Sequence, residues 1–94
     1  MDISPTQKFK LSSNQVSSSL DNETIILNHD AGVYYGLDEV GTLVWEQLQQ
    51  NPATVEELTK VIVEEFDIDE STCENDIKAL LKELMDEKLV EPVY

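Results

Sequence analysis

The fold is decided by residues 24–45, which read Thr-Ile-Ile-Leu-Asn-His-Asp-Ala-Gly-Val-Tyr-Tyr-Gly-Leu-Asp-Glu-Val-Gly-Thr-Leu-Val-Trp. The run of β-branched and apolar residues at 24–28 is typical of a strand. Turn-forming residues follow at 30–32, and the run at 33–37 reads as a second strand. Asp38 can then cap a helix. The stretch therefore predicts a β-hairpin that leads directly into a helix.

Toward the N-terminus, the pattern adds one more strand to this hairpin. Val16, Ser18 and Leu20 alternate at a period of two, and Asp21 and Asn22 supply a turn before residue 24. Together with the hairpin they predict a three-stranded antiparallel meander. Residues 1–14 read as an N-terminal arm, either an edge strand or disordered, and residues 15–94 read as one domain.

Toward the C-terminus, three helical patterns follow one another. Asn51 and Pro52 end the first, because proline cannot continue the helical hydrogen bonds. Thr54 and Glu57 form a capping box that opens the second. Ser71, with Glu74 three residues later, is expected to cap the third, and the apolar residues of that helix are Ile77, Leu80, Leu81 and Leu84. Residues 89–93 could add a short terminal strand.

The order of these elements predicts the class of fold. Three antiparallel strands followed by three helices give an α+β domain of the winged-helix-turn-helix-like type. At 94 residues the chain is long enough for one modest core but too short to hold a large active-site cavity beside it.

The charge balance excludes several classes of partner. The chain has 20 acidic and 6 basic residues, for a net charge of −14, and most of the acidic residues lie from Glu56 onward. Such a chain repels phosphate backbones and anionic lipids, so we expect no nucleic acid and no membrane as partner. A basic protein surface is favoured. Because the N-terminus lacks a secretory signal, we expect a cytoplasmic protein.

A catalytic site is not expected from the residues present. His29 is the only histidine and Cys73 the only cysteine, and they lie far apart in the predicted order of elements. Asp67, Asp69 and Ser71 resemble the start of a calcium loop, but the glycine and the glutamate that such a loop needs are missing. We therefore predict no enzyme activity, no cofactor and no metal site.

Several segments, taken together, resemble the PqqD-like family over roughly residues 16 to 92. They are residues 24–45, then Thr-Val-Glu-Glu-Leu at 54–58, Phe-Asp-Ile-Asp at 66–69 and Lys-Leu-Val at 88–90. Members of that family are recognition elements for the leaders of ribosomally made, post-translationally modified peptides (RiPPs), and they have a winged-helix fold with three strands and three helices. A free-standing member of this length resembles the type that serves lasso-peptide maturation. Lys88 stands where the family commonly has a glycine.

The third predicted strand offers a physical route to peptide binding. A strand at the edge of the meander leaves N–H and C=O groups free to pair with an extended peptide, by β-augmentation. Apolar residues on one flank of the third helix can form the opposite wall of a groove. The candidate site residues are Val33, Tyr34, Tyr35, Gly36 and Leu37 on the strand and Glu74, Ile77, Lys78, Leu81 and Met85 on the helix. Tyr34 and Tyr35 point to opposite faces, so only one is expected in the core.

The resemblance implies a non-catalytic, leader-binding peptide chaperone that presents a precursor peptide to a modifying enzyme, such as the leader-cleaving cysteine protease of a lasso-peptide pathway. One alternative is an acidic adaptor that binds only that partner enzyme. Another is a winged-helix regulator of transcription, which the order of elements allows. The third helix is too acidic for this last function, because DNA binding needs a basic recognition helix.

Overall fold

The computed structural model describes residues 3–93 of the chain. Its elements are β1 (Lys8–Leu11), β2 (Gln15–Leu20), β3 (Glu23–Asn28), β4 (Val33–Leu37), α1 (Glu39–Gln50), β5 (Ala53–Thr54), α2 (Val55–Phe66), α3 (Glu70–Asp86) and β6 (Val90–Val93). The strands form two antiparallel sheets of three strands each, and α1 contacts both sheets. The predicted α+β class is confirmed. Among residues 3–93, no helix is long and apolar enough to cross a membrane.

The first sheet is the predicted meander, with β3 between β2 and β4. Asp21 and Asn22 form the two-residue turn between β2 and β3, with φ of 51° and 65°. Two positive φ values match the twist of a tight hairpin. At the next turn, the side-chain oxygen of Asn28 accepts hydrogen bonds from the N–H groups of Asp30 and Ala31. The two turns fix the register of the sheet.

The second sheet has β1 in its middle, between β5 and β6. β1 pairs with β6 along its whole length, with Lys8 opposite Val93. Phe9 is only 1% exposed, so the strand is anchored by the core. β1 is therefore neither the edge strand nor the disordered arm that the sequence predicts. Its partner β6 lies at the other end of the chain, and no local pattern in the sequence reveals this pairing. The domain boundary at residue 14 stays a prediction.

The first two helices begin where the sequence predicts. The Asp38 carboxylate accepts a hydrogen bond from the N–H of Gly41 at 2.9 Å, which caps α1. The Thr54 hydroxyl accepts from the N–H of Glu57 at 3.1 Å, and the Glu57 carboxylate accepts from the N–H of Thr54 at 2.9 Å. These bonds satisfy N–H groups that a helix leaves without partners at its start.

The start of α3 differs from the prediction. Asp69, not Ser71, caps the helix: its carboxylate accepts a hydrogen bond from the N–H of Thr72 at 3.1 Å. Aspartate and serine cap helices about equally well, so the sequence alone does not separate them. Asp67 decides between them, because its left-handed conformation (φ 49°) ends α2 and turns the chain early enough for α3 to begin at Glu70.

α3 ends in a Schellman motif built on a lysine. Lys88 has a φ of 61°, in the left-handed region where glycine is usual. The N–H of Leu89 donates to the carbonyl of Leu84 at 2.8 Å, and the N–H of Lys88 donates to the carbonyl of Met85 at 2.9 Å. The helix is therefore ended here by a non-glycine residue whose backbone adopts the conformation for which glycine is usual.

The core lies where α1 meets the two sheets and the other helices. Trp45 is fully buried, and its indole N–H donates to the hydroxyl of Ser17 on β2 at 3.0 Å. The other fully buried large side chains are Phe9, Ile26, Leu58, Ile62, Ile77, Leu81, Leu84 and Leu89. Together with Trp45 they come from both sheets and all three helices, so the described chain forms one core.

Candidate functional site

β4 is an edge of the first sheet. Within residues 3–93 it pairs with β3 on one side and with no strand on the other. In an antiparallel pair, alternate residues turn their N–H and C=O groups away from the partner strand. β4 therefore presents free backbone groups that could pair with another extended chain.

The five predicted strand residues divide between the two faces of the sheet. Tyr34 is 69% exposed and Val33 49% exposed, and Gly36 is also exposed. Tyr35 is half-buried against the core, and Leu37 is buried. Tyr35 is thus the tyrosine that turns toward the protein, while Tyr34 faces solvent.

Two of the predicted helix residues do not reach the surface. Ile77 is 1% exposed and Leu81 is fully buried, and both belong to the core. Neither side chain can contact a peptide in this conformation.

The other three predicted helix residues lie on the flank of α3 that faces away from β4. Lys78 pairs with Glu74 at 3.7 Å and borders an opening shared with the N-terminal residues 3–5. Met85 borders a different opening, beside residues 12–14. The structure therefore does not bring Glu74, Lys78 or Met85 to the edge of β4.

The opposite flank of α3 is the one that faces β4. It carries Asp76, Leu80 and Glu83, and Glu87, the C-cap residue of α3, continues the series; the spacings of four, three and four residues place them on one side of the helix. The hydroxyl of Tyr35 donates a hydrogen bond to the carboxylate of Glu83, which joins the strand to this flank. We call the space between β4 and this flank the β4–α3 groove.

One end of the groove opens into an apolar cavity of about 220 Å³. The cavity lies where β4 gives way to α1, and α3 forms its far wall. Its lining residues are Asp38, Val40, Gly41, Ile62, Ile68, Cys73, Asp76 and Leu80. Leu80 is half-buried at its mouth rather than fully buried. The cavity is smaller than a typical small-molecule site and suits a single side chain.

The electrostatics of the groove are those of an acidic surface. The pKa of Tyr35 is raised to about 12, chiefly by burial and also by the hydrogen bond to Glu83 and the charges of Glu83, Glu87 and Asp38. Burial and these negative charges both disfavour the phenolate form of Tyr35. The groove combines free backbone groups, an apolar cavity and unneutralised negative charge.

Cys73, at the floor of the cavity, has no features of a reactive thiol. Its side chain is 2% exposed and lies 3.9 Å from the carbonyl oxygen of Thr59. Burial raises the pKa of the Cys73 thiol, as do the nearby charges of Asp76 and Glu70. Only a thiolate is a good nucleophile, so this position is suited to packing. Within residues 3–93, no three histidine, cysteine, aspartate or glutamate side chains lie together as metal ligands would.

The other strand edges of the described chain are less suited to a peptide. At the β2 edge, Ser17 accepts hydrogen bonds from Trp45 and from the Gln49 amide at 3.3 Å, so α1 is in contact with that edge. β6 contains Pro92, which lacks an N–H donor. β5 has only two residues. β4 alone combines a five-residue edge with an apolar cavity.

The sequence reasoning missed Asp76, Leu80 and Glu83 as site residues. The amphipathic pattern of α3 does identify its buried stripe, centred on Ile77 and Leu81. Both flanks of that stripe look alike in the sequence, since each has one apolar residue among charged ones. The direction of the strand relative to the helix decides between them, and it is a tertiary property.

Comparison with known proteins identifies the family. The family described as Coenzyme PQQ synthesis protein D (PqqD) matches residues 23–90. The fold is similar to a solved structure of TbiB1 in complex with the TbiA(beta) leader peptide, with a TM-score of 0.81 and 34% identity over 87% of this chain and 94% of that chain.

A second solved structure, lasso peptide synthetase B1 complexed with the leader peptide, has a TM-score of 0.78 and 20% identity over 89% of this chain and 98% of that chain, which supports the fold. Comparison with curated protein sequences gives no match. Because the family match covers well over half of the chain, the resemblance found in the sequence is confirmed, and this protein belongs to the PqqD family.

Proposed function

We propose that this protein binds the leader segment of a ribosomally made precursor peptide, as an extra strand on β4, and presents the precursor to a modifying enzyme. The observation that carries the proposal is the free edge of β4 beside an open apolar cavity. The similar TbiB1 structure contains a leader peptide, and that protein is 34% identical to this one, which supports the same class of ligand here.

Backbone pairing alone would hold such a peptide weakly. A ladder of about four hydrogen bonds contributes roughly 0.5–1.5 kcal/mol per bond, whereas association costs about 4–15 kcal/mol. Each apolar side chain that becomes fully buried adds about 1.5–3 kcal/mol. We therefore expect the cavity beside Leu80 to supply much of the affinity, and the strand pairing to fix the register of the peptide along β4.

The role that we propose is non-catalytic. Cys73 is buried, with a raised pKa, and His29 is exposed in the turn between β3 and β4. The chemistry would then belong to a partner, and a leader-cleaving cysteine protease of a lasso-peptide pathway is the partner that we favour. The strongly acidic surface of this chain suits recognition by a basic region of that enzyme.

The test is a binding measurement with a structural readout. Fluorescently labelled leader peptides, TbiA(beta) and the leader of any short precursor encoded beside this chain, are titrated with the protein and compared with scrambled peptides. We expect specific binding with a Kd near 1 μM, equivalent to about 8 kcal/mol. Amide hydrogen exchange of the complex should show new protection at the outward-facing N–H groups of β4, while β2, the other edge of the same sheet, serves as the internal control.

Two results would contradict the proposal. Binding without protection of β4 would mean that the peptide does not pair with this edge. A stable complex with the neighbouring enzyme, without affinity for either leader, would favour the acidic adaptor instead.

A further inference from the structure

We infer that the β4–α3 groove selects leaders that carry one apolar residue followed, at alternate positions along the strand, by lysine or arginine. This inference rests on the proposed function, because it assumes that a peptide strand lies along β4. It adds the chemistry of the residues that the groove reads.

The first step is a match of spacing between strand and helix. Along an added strand, every second side chain faces α3, and successive inward side chains are about 6.8 Å apart. Along α3, the steps from Leu80 to Glu83 and from Glu83 to Glu87 are three and four residues, or about 4.5 and 6 Å. Two strand steps span about 13.6 Å and the two helix steps about 10.5 Å, so three inward side chains face the three residues in order, with an offset of about 3 Å that long side chains can cover.

The second step is the apolar end of the series. The inward side chain nearest Leu37 and Asp38 lies beside the cavity, whose walls include Val40, Ile68 and Leu80. The cavity of about 220 Å³ accepts one side chain, and its lining is mainly apolar, with the carboxyl groups of the exposed residues Asp38 and Asp76 as its acidic members. This position specifies an apolar residue.

The third step is the acidic end. The next two inward side chains, opposite Tyr35 and Val33, meet Glu83 and Glu87. Both glutamates are exposed, and the ion pairs found among residues 3–93 join Lys10 to Glu91 and Lys78 to Glu74, so neither glutamate has a cationic partner there. The raised pKa of Tyr35 has these same carboxylates among its causes. A lysine or arginine is favoured here and an acidic residue is repelled.

The cationic positions contribute selectivity more than affinity. Exposed ion pairs are weak, and each one should change the affinity by about two- to fivefold. An acidic leader residue at either position would be repelled by Glu83 or Glu87, which increases the difference in affinity between basic and acidic leaders. The apolar residue in the cavity remains the main anchor.

Selection from a random library tests the inference without knowledge of the natural precursor. Random 12-residue peptides, displayed by mRNA display, are selected on the immobilised full chain. The enriched sequences should show an apolar residue and then Lys or Arg two and four residues away. In an antiparallel added strand the apolar residue comes first. Synthetic peptides with Lys replaced by Gln should bind about two- to fivefold more weakly, and high salt should remove the difference.

Two double variants with the same change in net charge separate the groove from the general acidity of the protein. Glu83→Gln/Glu87→Gln should lose the enrichment for Lys and Arg but keep that for the apolar residue. Glu64→Gln/Glu74→Gln changes two carboxylates outside the groove, on α2 and on the far flank of α3, and should keep both preferences.

Enrichment of apolar residues without a cationic preference would overturn the inference and leave the proposed function standing. A cationic preference that both double variants retain would also overturn it, because general charge attraction would then be the cause. The absence of any enriched peptide would contradict the proposed function itself.

Discussion

The hydroxyl of Tyr35 donates a hydrogen bond to the carboxylate of Glu83, and this bond joins β4 to α3 across the groove. Among the described residues it is the only side-chain hydrogen bond between these two elements. It connects the edge strand to the helix, and the groove is open in the structure of the protein alone. A preformed groove lowers the ordering cost of binding.

Removal of this hydroxyl should lower the stability of the fold. Tyr35→Phe keeps the ring and its packing but loses the hydrogen bond, and we expect the free energy of unfolding to fall by about 1 kcal/mol. Urea denaturation measures the change. Tyr34→Phe is the matched control, because Tyr34 is 69% exposed and its change should stay within roughly 0.5 kcal/mol. Equal effects of the two variants would mean that the bond contributes nothing to stability.

The same tyrosine should make stability depend on pH in the alkaline range. Its pKa is about 12 in the folded protein, against 10.0 for an ordinary tyrosine. Above pH 10 the unfolded chain loses this proton more readily than the folded chain, so the free energy of unfolding falls as pH rises from 10 toward 12. Below pH 10 the stabilising contribution of this group is fully present and does not change with pH. The free energy of unfolding should fall less over this pH range in Tyr35→Phe than in the wild type. If the two plots of unfolding free energy against pH coincide, Tyr35 is not the group responsible.

Lys88→Gly should stabilise the protein. Lys88 has a φ of 61° at the end of α3, a conformation that glycine adopts without the steric cost of a Cβ. We expect a gain of about 1 kcal/mol in the free energy of unfolding. Lys82→Gly, within α3, is the control and should instead cost about 1 kcal/mol. A loss of stability in Lys88→Gly would show that the lysine side chain makes a compensating interaction.

A pair of alanine variants distinguishes the two flanks of α3. Leu80→Ala, at the mouth of the cavity, should weaken leader binding by about tenfold, the equivalent of roughly 1.4 kcal/mol of apolar contact. Met85→Ala, on the flank predicted from the sequence, should leave the affinity unchanged. Fluorescence anisotropy measures both, after circular dichroism has shown that each variant folds. A loss of affinity in Met85→Ala but not in Leu80→Ala would instead place the binding site on the Met85 flank.

Much of the fold could be predicted because its signals are local. The meander follows from alternation and from turn residues such as Asp21 and Asn22, and the starts of α1 and α2 follow from the capping residues Asp38 and Thr54. Each of these signals lies within a few residues of the structure that it specifies. The choice of Asp69 over Ser71 depended on where α2 ends, so a local rule was not sufficient there.

The second sheet and the wall of the groove could not be predicted in the same way. β1 and β6 lie at opposite ends of the chain, and no periodicity connects Lys8 with Val93. The groove depends on which flank of α3 faces β4, and the sequence pattern is nearly symmetric about the buried stripe that contains Ile77. Both features are properties of how elements pack, and the sequence does not encode them locally.

The pairing of β1 with β6 also determines how the molecule would respond to a pulling force. Lys8 lies opposite Val93 in an antiparallel pair. A force that pulls these two residues apart would therefore break the hydrogen bonds between β1 and β6 one after another, rather than all at once. The second sheet would yield first, at low force. β4 takes no part in this sheet, but α3 leads directly into β6, so a force that peels β6 from β1 would reach the groove through its helical wall.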